Sequence, residues 1–384
     1  VRLRPHAPSR PQLPFAPFHP SNIFSRDNTA STRNGDQSEA KKLANQLNYG
    51  NPAYAFSGYA GIGWGIPAFG FQTVANIREY ATTIFYMPPG YPRRKVLYVD
   101  GSLSAQPVGW ANNLQAPFNS VPVPDPAAVR STVVPYESPD TDKQTVIFDL
   151  GTGEMWEMFR FKLPYFKPTF QYGGYLASAA AGKGIYPFNA EGTWGAGATS
   201  LYALGGTITA QDLVEVLRGG KIKHALCVAC PAVKGPAQLP STRFDAFHNL
   251  PALDPEGNPN PAYPEVDAVR EGSWFMFPAA AKPSDFGMTG RIEIAIFEAI
   301  QTYGLFVNNA SGNCSFYVER PATLGTPYSW ARVNPWAGYV TDMGLPASLT
   351  DWSLPPIDEL FSGTASVFAK QPWGQLEQLE PFAS

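Results

Sequence analysis

Residues 193–231 read TWGAGATSLYALGGTITAQDLVEVLRGGKIKHALCVACP, and three signals follow one another there without a break. A Gly-rich segment comes first, with a strand expected over Thr199–Leu204 and closed by Gly205 and Gly206. Thr209 then has the character of an N-cap, with Asp212 three residues on completing a capping box. Leu213, Val216 and Leu217 give the following helix an apolar face, and Gly219-Gly220 stop it. The last signal is a strand over Ile222–Cys230. Alternation places Ile222, His224, Leu226, Val228 and Cys230 on one face and the small residues Ala225, Cys227 and Ala229 on the other.

Outward from this stretch the chain reads as mainly β. Proline and glycine number 39 and 35 in 384 residues, a frequency that suits many short strands and long irregular connections. Strands are expected at Thr82–Met87, Lys95–Val99 and Ser273–Phe277. A hairpin is expected between Thr145–Leu150 and Met155–Leu163, turning at residues 151–154. In its second strand Met155, Glu157, Phe159, Phe161 and Leu163 share one face, and Trp156, Met158, Arg160 and Lys162 the other. Thr289 would cap a helix over Arg291–Tyr303 whose Ile292, Ala295, Ile296, Ala299 and Ile300 form one stripe. A second hairpin is expected between Leu305–Val307 and Cys314–Val318. The architecture that accommodates these elements is an antiparallel jelly-roll-type sandwich with two short helices, over residues 76–320.

Both flanks differ from this middle. Residues 1–75 read as an arm followed by an aromatic and Gly-rich segment. Prolines at 5, 8, 11, 14, 17 and 20 keep the three-residue period of polyproline II, and Phe15 and Phe18 sit at the same spacing as anchors for a neighbouring subunit. A short helix is expected over residues 36–48. The segment from Tyr54 to Phe71 carries Tyr59 and Trp64, a candidate ligand platform when joined by Trp156. Residues 321–384 form a second extension, rich in Pro and Trp, expected to pack on the sandwich.

Composition narrows the function. Net charge is −3 and only 15% of residues are charged, against about 25% in ordinary soluble domains. Nothing steers the chain toward nucleic acid, and no apolar run is long enough for a membrane span. Aromatic residues make up 14%, which suits protein partners or the faces of sugar rings. The three cysteines are an odd count and argue against a disulfide framework. Cys227 and Cys230 form a CxxC, but residues three apart on a strand point to opposite faces, so neither a metal site nor redox chemistry is expected. No cofactor is implied.

Two side chains stand out as candidate acid and base. Glu157 is a carboxylate on a face of Met, Phe and Leu, where burial would favour the protonated form a general acid needs. His224 lies on an apolar strand face. They act as a pair only if both line one open groove. Asp149, Glu154 and Glu157 do not have the spacing that puts two carboxylates on one strand face, as a retaining glycosidase requires.

Six stretches, in order, carry a family resemblance: WEMFR (156–160), WGAGATSLYALGG (194–206), DLVEVLRGGKIKHALCVACP (212–231), EGSWFMFP (271–278), QTYGLFVNNASGNCSFYVE (301–319) and PWGQLEQLE (372–380). They resemble actinobacterial secreted proteins and actinobacteriophage minor tail proteins. The resemblance implies a sandwich of the lectin or glucanase sort and marks Glu157 and His224 as motif positions without a role. It further implies a structural tail-tip component of a virion that recognises host-envelope glycan, with other tail proteins and copies of itself as partners. The alternatives are a polysaccharide-degrading enzyme using Glu157 and His224, and a secreted, extracellular carbohydrate-binding protein.

Overall fold

The structure, a computed structural model, describes residues 24–47, 73–76, 82–87, 89–98, 116–124, 144–162, 168–170, 172–176, 193–197, 199, 201–202, 204–217, 219–230, 233–234, 269–311, 314–319, 368 and 370–380. Phe15, Phe18, Tyr59 and Trp64 lie outside the described residues.

In chain order the helices are α1 (Ser38–Leu47), α2 (Ala210–Leu217) and α3 (Arg291–Thr302). The strands are β1 (Val74–Asn76), β2 (Thr83–Met87), β3 (Leu97–Tyr98), β4 (Thr145–Asp149), β5 (Met155–Phe159), β6 (Thr169–Phe170), β7 (Tyr172–Leu176) and β8 (Thr193–Trp194). They continue with β9 (Leu226–Cys230), β10 (Val233–Lys234), β11 (Val269–Arg270), β12 (Trp274–Met276), β13 (Leu305–Ala310), β14 (Ser315–Tyr317) and β15 (Glu377–Gln378).

Two sheets dominate. One has six strands in the order β1-β14-β9-β13-β12-β15, the other five in the order β2-β4-β5-β7-β8. They meet at a corner, where Thr82, just before β2, bridges Glu319, just after β14. The chain is therefore strand-rich, as expected, with two mixed sheets that share an apolar layer. The antiparallel jelly-roll order is not what these ladders show, because β1–β14, β9–β13 and β2–β4 are all parallel pairs.

Three apolar layers hold the frame. Helices α1, α2 and α3 cover one face of the six-stranded sheet, against Leu226, Val228 and Cys230 of β9. The opposite face of that strand, Cys227 and Ala229, looks into the layer between the two sheets, with Val146, Phe148 and Met155 on the far side. Beyond the five-stranded sheet, Ile147, Trp156 and Met158 are covered by Val96, Phe118 and Val121. The alternation along β9 thus separates two cores, as its sequence pattern requires.

Local rules explain the helices. The Thr209–Asp212 box forms: the Thr209 backbone N–H donates to Asp212 Oδ2 at 2.8 Å, and the Asp212 N–H donates to Thr209 Oγ1 at 3.1 Å. In α3 the five stripe residues are all buried, and each large aliphatic side chain so placed contributes about 1.5–3 kcal/mol. The cap of α3 is Gly290 rather than Thr289. The Glu293 carboxylate accepts from the backbone N–H groups of Thr289 and Gly290, at 3.0 and 3.2 Å, the acidic arm of a capping box.

Three expectations are corrected. The first hairpin forms, with Val146 opposite Glu157, but its alternation ends early. Arg160 has φ of 53°, a left-handed conformation that breaks the two-residue period. Phe161 consequently joins Trp156 and Met158 instead of Glu157. The second hairpin does not form, because β9 lies between β13 and β14. The chain leaving β13 passes over the end of β9, where the Ser311 N–H donates to the Cys230 carbonyl at 3.0 Å. It then returns on the other side of β9. Lastly, no strand is present among the described residues of 199–204; Leu204–Gly206 is a 3₁₀ turn. A Cβ added to Gly206 would lie 2.5 Å from the backbone N of Cys227, so this turn presses directly on β9.

The flanks belong to the frame where they are described. Phe24 packs edge-on to Phe306 at 5.5 Å. Arg33 bridges Leu379 and pairs with Glu377 at 2.7 Å. Trp373 and Leu376 fill the helix side of the six-stranded sheet.

Candidate functional site

Both candidate acid–base residues meet the 3₁₀ turn Leu204–Gly206, Glu157 at Leu204 and His224 at Gly205. Glu157 projects from the middle of β5 into the layer between the sheets and is fully buried. Its Oε2 accepts the Ala196 N–H at 2.9 Å and its Oε1 accepts the Leu204 N–H at 2.8 Å. One carboxylate thus satisfies two backbone donors in a connector that has no ladder of its own. Thr199, on the same connector, donates through Oγ1 to Oδ1 of Asn308, the residue where β13 shifts register against β9.

His224 comes just before β9 and is 1% exposed. Its Nδ1 lies 2.8 Å from the Ala225 carbonyl and its Nε2 lies 3.0 Å from Asp212 Oδ2. The same carboxylate oxygen takes the Thr209 hydroxyl at 2.6 Å. Asp212 therefore caps α2 and ties that helix to the entry of β9. Both ring nitrogens face acceptors, and only the imidazolium donates to both. Burial opposes the charge, but the Asp212 carboxylate, its hydrogen bond, and backbone hydrogen bonds with Ala225 and Gly205 outweigh it, leaving the pKa raised. The surroundings are acidic: Tyr86 is pushed well up by burial and by Glu319 and Asp212.

A group with a raised folded-state pKa contributes its full stabilisation below the unfolded value, and that contribution fades as pH rises through the folded value. The thermal midpoint is expected to fall as pH increases from about 6 into the alkaline range. His224→Gln should flatten that slope in scanning fluorimetry at constant ionic strength. An unchanged slope would show that His224 titrates alike in both states.

Chemically, these two groups hold backbone and helix in place. Both are buried, so neither faces an open groove. Trp156 is likewise inside: its Nε1 donates to the Pro117 carbonyl at 2.8 Å, and the Arg93 guanidinium lies 5.3 Å from its ring centroid. Arg93 also reaches Asp149 at 2.6 Å and Glu154 at 2.5 Å, so the carboxylates flanking the β4–β5 turn are paired with a cation. Asp149 Oδ1 accepts the N–H groups of Gly151 and Thr152 within the turn. Among the described residues no group of three or more His, Cys, Asp or Glu side chains could hold a metal ion.

The sequence reading missed Asp212 as the partner of His224 and Arg93 as the partner of the turn carboxylates. Asp212 was visible as a capping residue, whose second hydrogen-bonding direction carries no local signal. Arg93 lies 56 residues from Asp149, beyond any local pattern. No family model, curated protein or solved structure matches this chain.

Proposed function

We propose that the chain is a structural minor tail protein at the tail tip of a virion infecting actinobacteria, contributing to recognition of host-envelope glycan. The observation that carries this reading is the ordered set of six stretches that resemble such proteins. In support, their described residues build much of the frame: β5, the 195–206 connector, most of α2 with β9, β12, the end of α3 with β13, β14 and β15. Glu157, Asp212 and His224 hold that frame together, which suits a component selected for rigidity. Its neighbours in the particle are other tail proteins and further copies of the same chain.

The test is a cell-wall assay with the full recombinant chain. The protein is expected to sediment with purified actinobacterial wall and to release no soluble sugar above a buffer control. In immunogold microscopy of the encoding particles, label is expected at the tail tip. Sugar release that Glu157→Gln or His224→Ala abolishes, with folding retained, would replace this reading with a polysaccharide-degrading enzyme. Wall binding without label on the particle would leave an extracellular carbohydrate-binding protein.

A further inference from the structure

The CxxC divides its two cysteines between different cores, and one of them finds another partner. Cys227 faces the layer between the sheets, beneath the 3₁₀ turn. Cys230 faces the helices, in the same apolar layer as Cys314. The antiparallel β14–β9 ladder pairs Phe316 with Val228 and Ser315 with Ala229. One step further along this register would set Cys314, the residue before β14, opposite Cys230. The Ser311–Cys230 hydrogen bond folds the connection back over the end of β9, which delivers Cys314 to that place. Both thiols are buried.

We propose that Cys230 and Cys314 are a cross-strand disulfide site, closed by exchange with a small-molecule disulfide in oxidising surroundings. Opposed residues of an antiparallel ladder have Cα atoms roughly 4.5–5.5 Å apart, inside the roughly 4.4–6.8 Å that a disulfide spans. In the exchange, one of the two cysteines loses its proton to solvent and attacks a sulfur of oxidised glutathione, and a glutathione thiolate leaves. The second cysteine, also as thiolate, attacks the protein-side sulfur of the mixed disulfide and expels the other glutathione. Both cysteines are oxidised, and one glutathione disulfide is reduced to two thiols, which take up the released protons. Burial pushes the Cys314 thiol well up, so the reaction proceeds when the ladder end opens or while the chain folds. The bond would clamp the two strands over a closed loop of roughly 80 residues, long enough for a large entropic stabilisation.

The experiment takes the full chain, reduced, through mild urea in a glutathione redox buffer and back to native conditions. Free thiols are then counted in denaturant and linked peptides mapped by mass spectrometry. The expected count falls from three cysteines to one, with Cys314 linked to the peptide bearing Cys230. In Cys227→Ala no free thiol should remain, and fragmentation of the linked wild-type peptide makes the same assignment should that variant not fold. The thermal midpoint of the oxidised protein should exceed that of the reduced protein by about 5–10 °C. Three remaining thiols, glutathione adducts alone, or a Cys227–Cys230 link would overturn the proposal.

Discussion

Replacing Glu157 by alanine is expected to lower the unfolding free energy by about 3–5 kcal/mol, a large part of the roughly 5–15 kcal/mol that holds a protein folded. The carboxylate accepts the Ala196 and Leu204 N–H groups, both inside the sandwich. Alanine leaves those two donors without this acceptor, at about 1–3 kcal/mol each, and opens a cavity between the sheets. Glutamine retains one carbonyl acceptor but turns an amide N–H toward the other donor, so it should lose about half as much. Urea unfolding followed by tryptophan fluorescence measures both variants. A loss below about 1 kcal/mol for alanine would mean that the connector is held from elsewhere. The measurement bears on function too. If stability is kept while an activity disappears, the carboxylate is chemical; if stability falls, its role is to hold the connector.

The second large effect is expected at Gly304, which joins α3 to β13. Its φ is +102°, where a side chain is strained. There is also no room for one. A Cβ would overlap Trp274 Nε1 and lie 2.6 Å from Cδ1 of that ring. The indole cannot swing away freely, because Nε1 donates to the Tyr303 carbonyl at 3.2 Å and the ring stacks on Phe306 at 4.9 Å. Gly304→Ala should therefore cost about 3–5 kcal/mol, backbone strain and overpacking adding together. The expected readout is loss of soluble protein at 37 °C, or a sharply lower urea midpoint at 20 °C where the protein is recovered. A near-normal midpoint would mean that the helix end relaxes at little cost.

Much of this frame could be read from the sequence wherever the determinant was local. Thr209 and Asp212 lie three residues apart, and their box forms as the spacing indicates. The α3 stripe repeats at helical period, and the chain buries it. The β4–β5 hairpin follows from alternation and its Gly-containing turn. What could not be read depends on partners distant in sequence. Alternation identifies a strand but not its neighbour, so β13 and β14 looked like a hairpin while β9 took the place between them. The parity of Phe161 depends on one residue, Arg160, whose left-handed backbone has no sequence mark comparable to glycine. At the candidate site the sequence singled out Glu157 and His224 as a candidate acid and base on apolar faces; both are buried, and what the sequence left open was what they bind. Glu157 takes two N–H groups 39 and 47 residues away, and no spacing rule reaches that far.

The lacing of residues 32–37 to residues 377–380 has a consequence for how the molecule is made. Arg33 meets Glu377 across 344 positions of chain, and Gln37 accepts the Gln378 N–H across 341. On the ribosome, β12 therefore waits with an open edge until residue 378 has emerged, and residues 32–37 lack these partners until then. Contacts of such long sequence separation form late and slow the final step. A translational stop shortly before Trp373 would release a chain with β12 uncovered and part of the helix-side core unfilled. Such a chain is a substrate for proteases and aggregation rather than a smaller working copy.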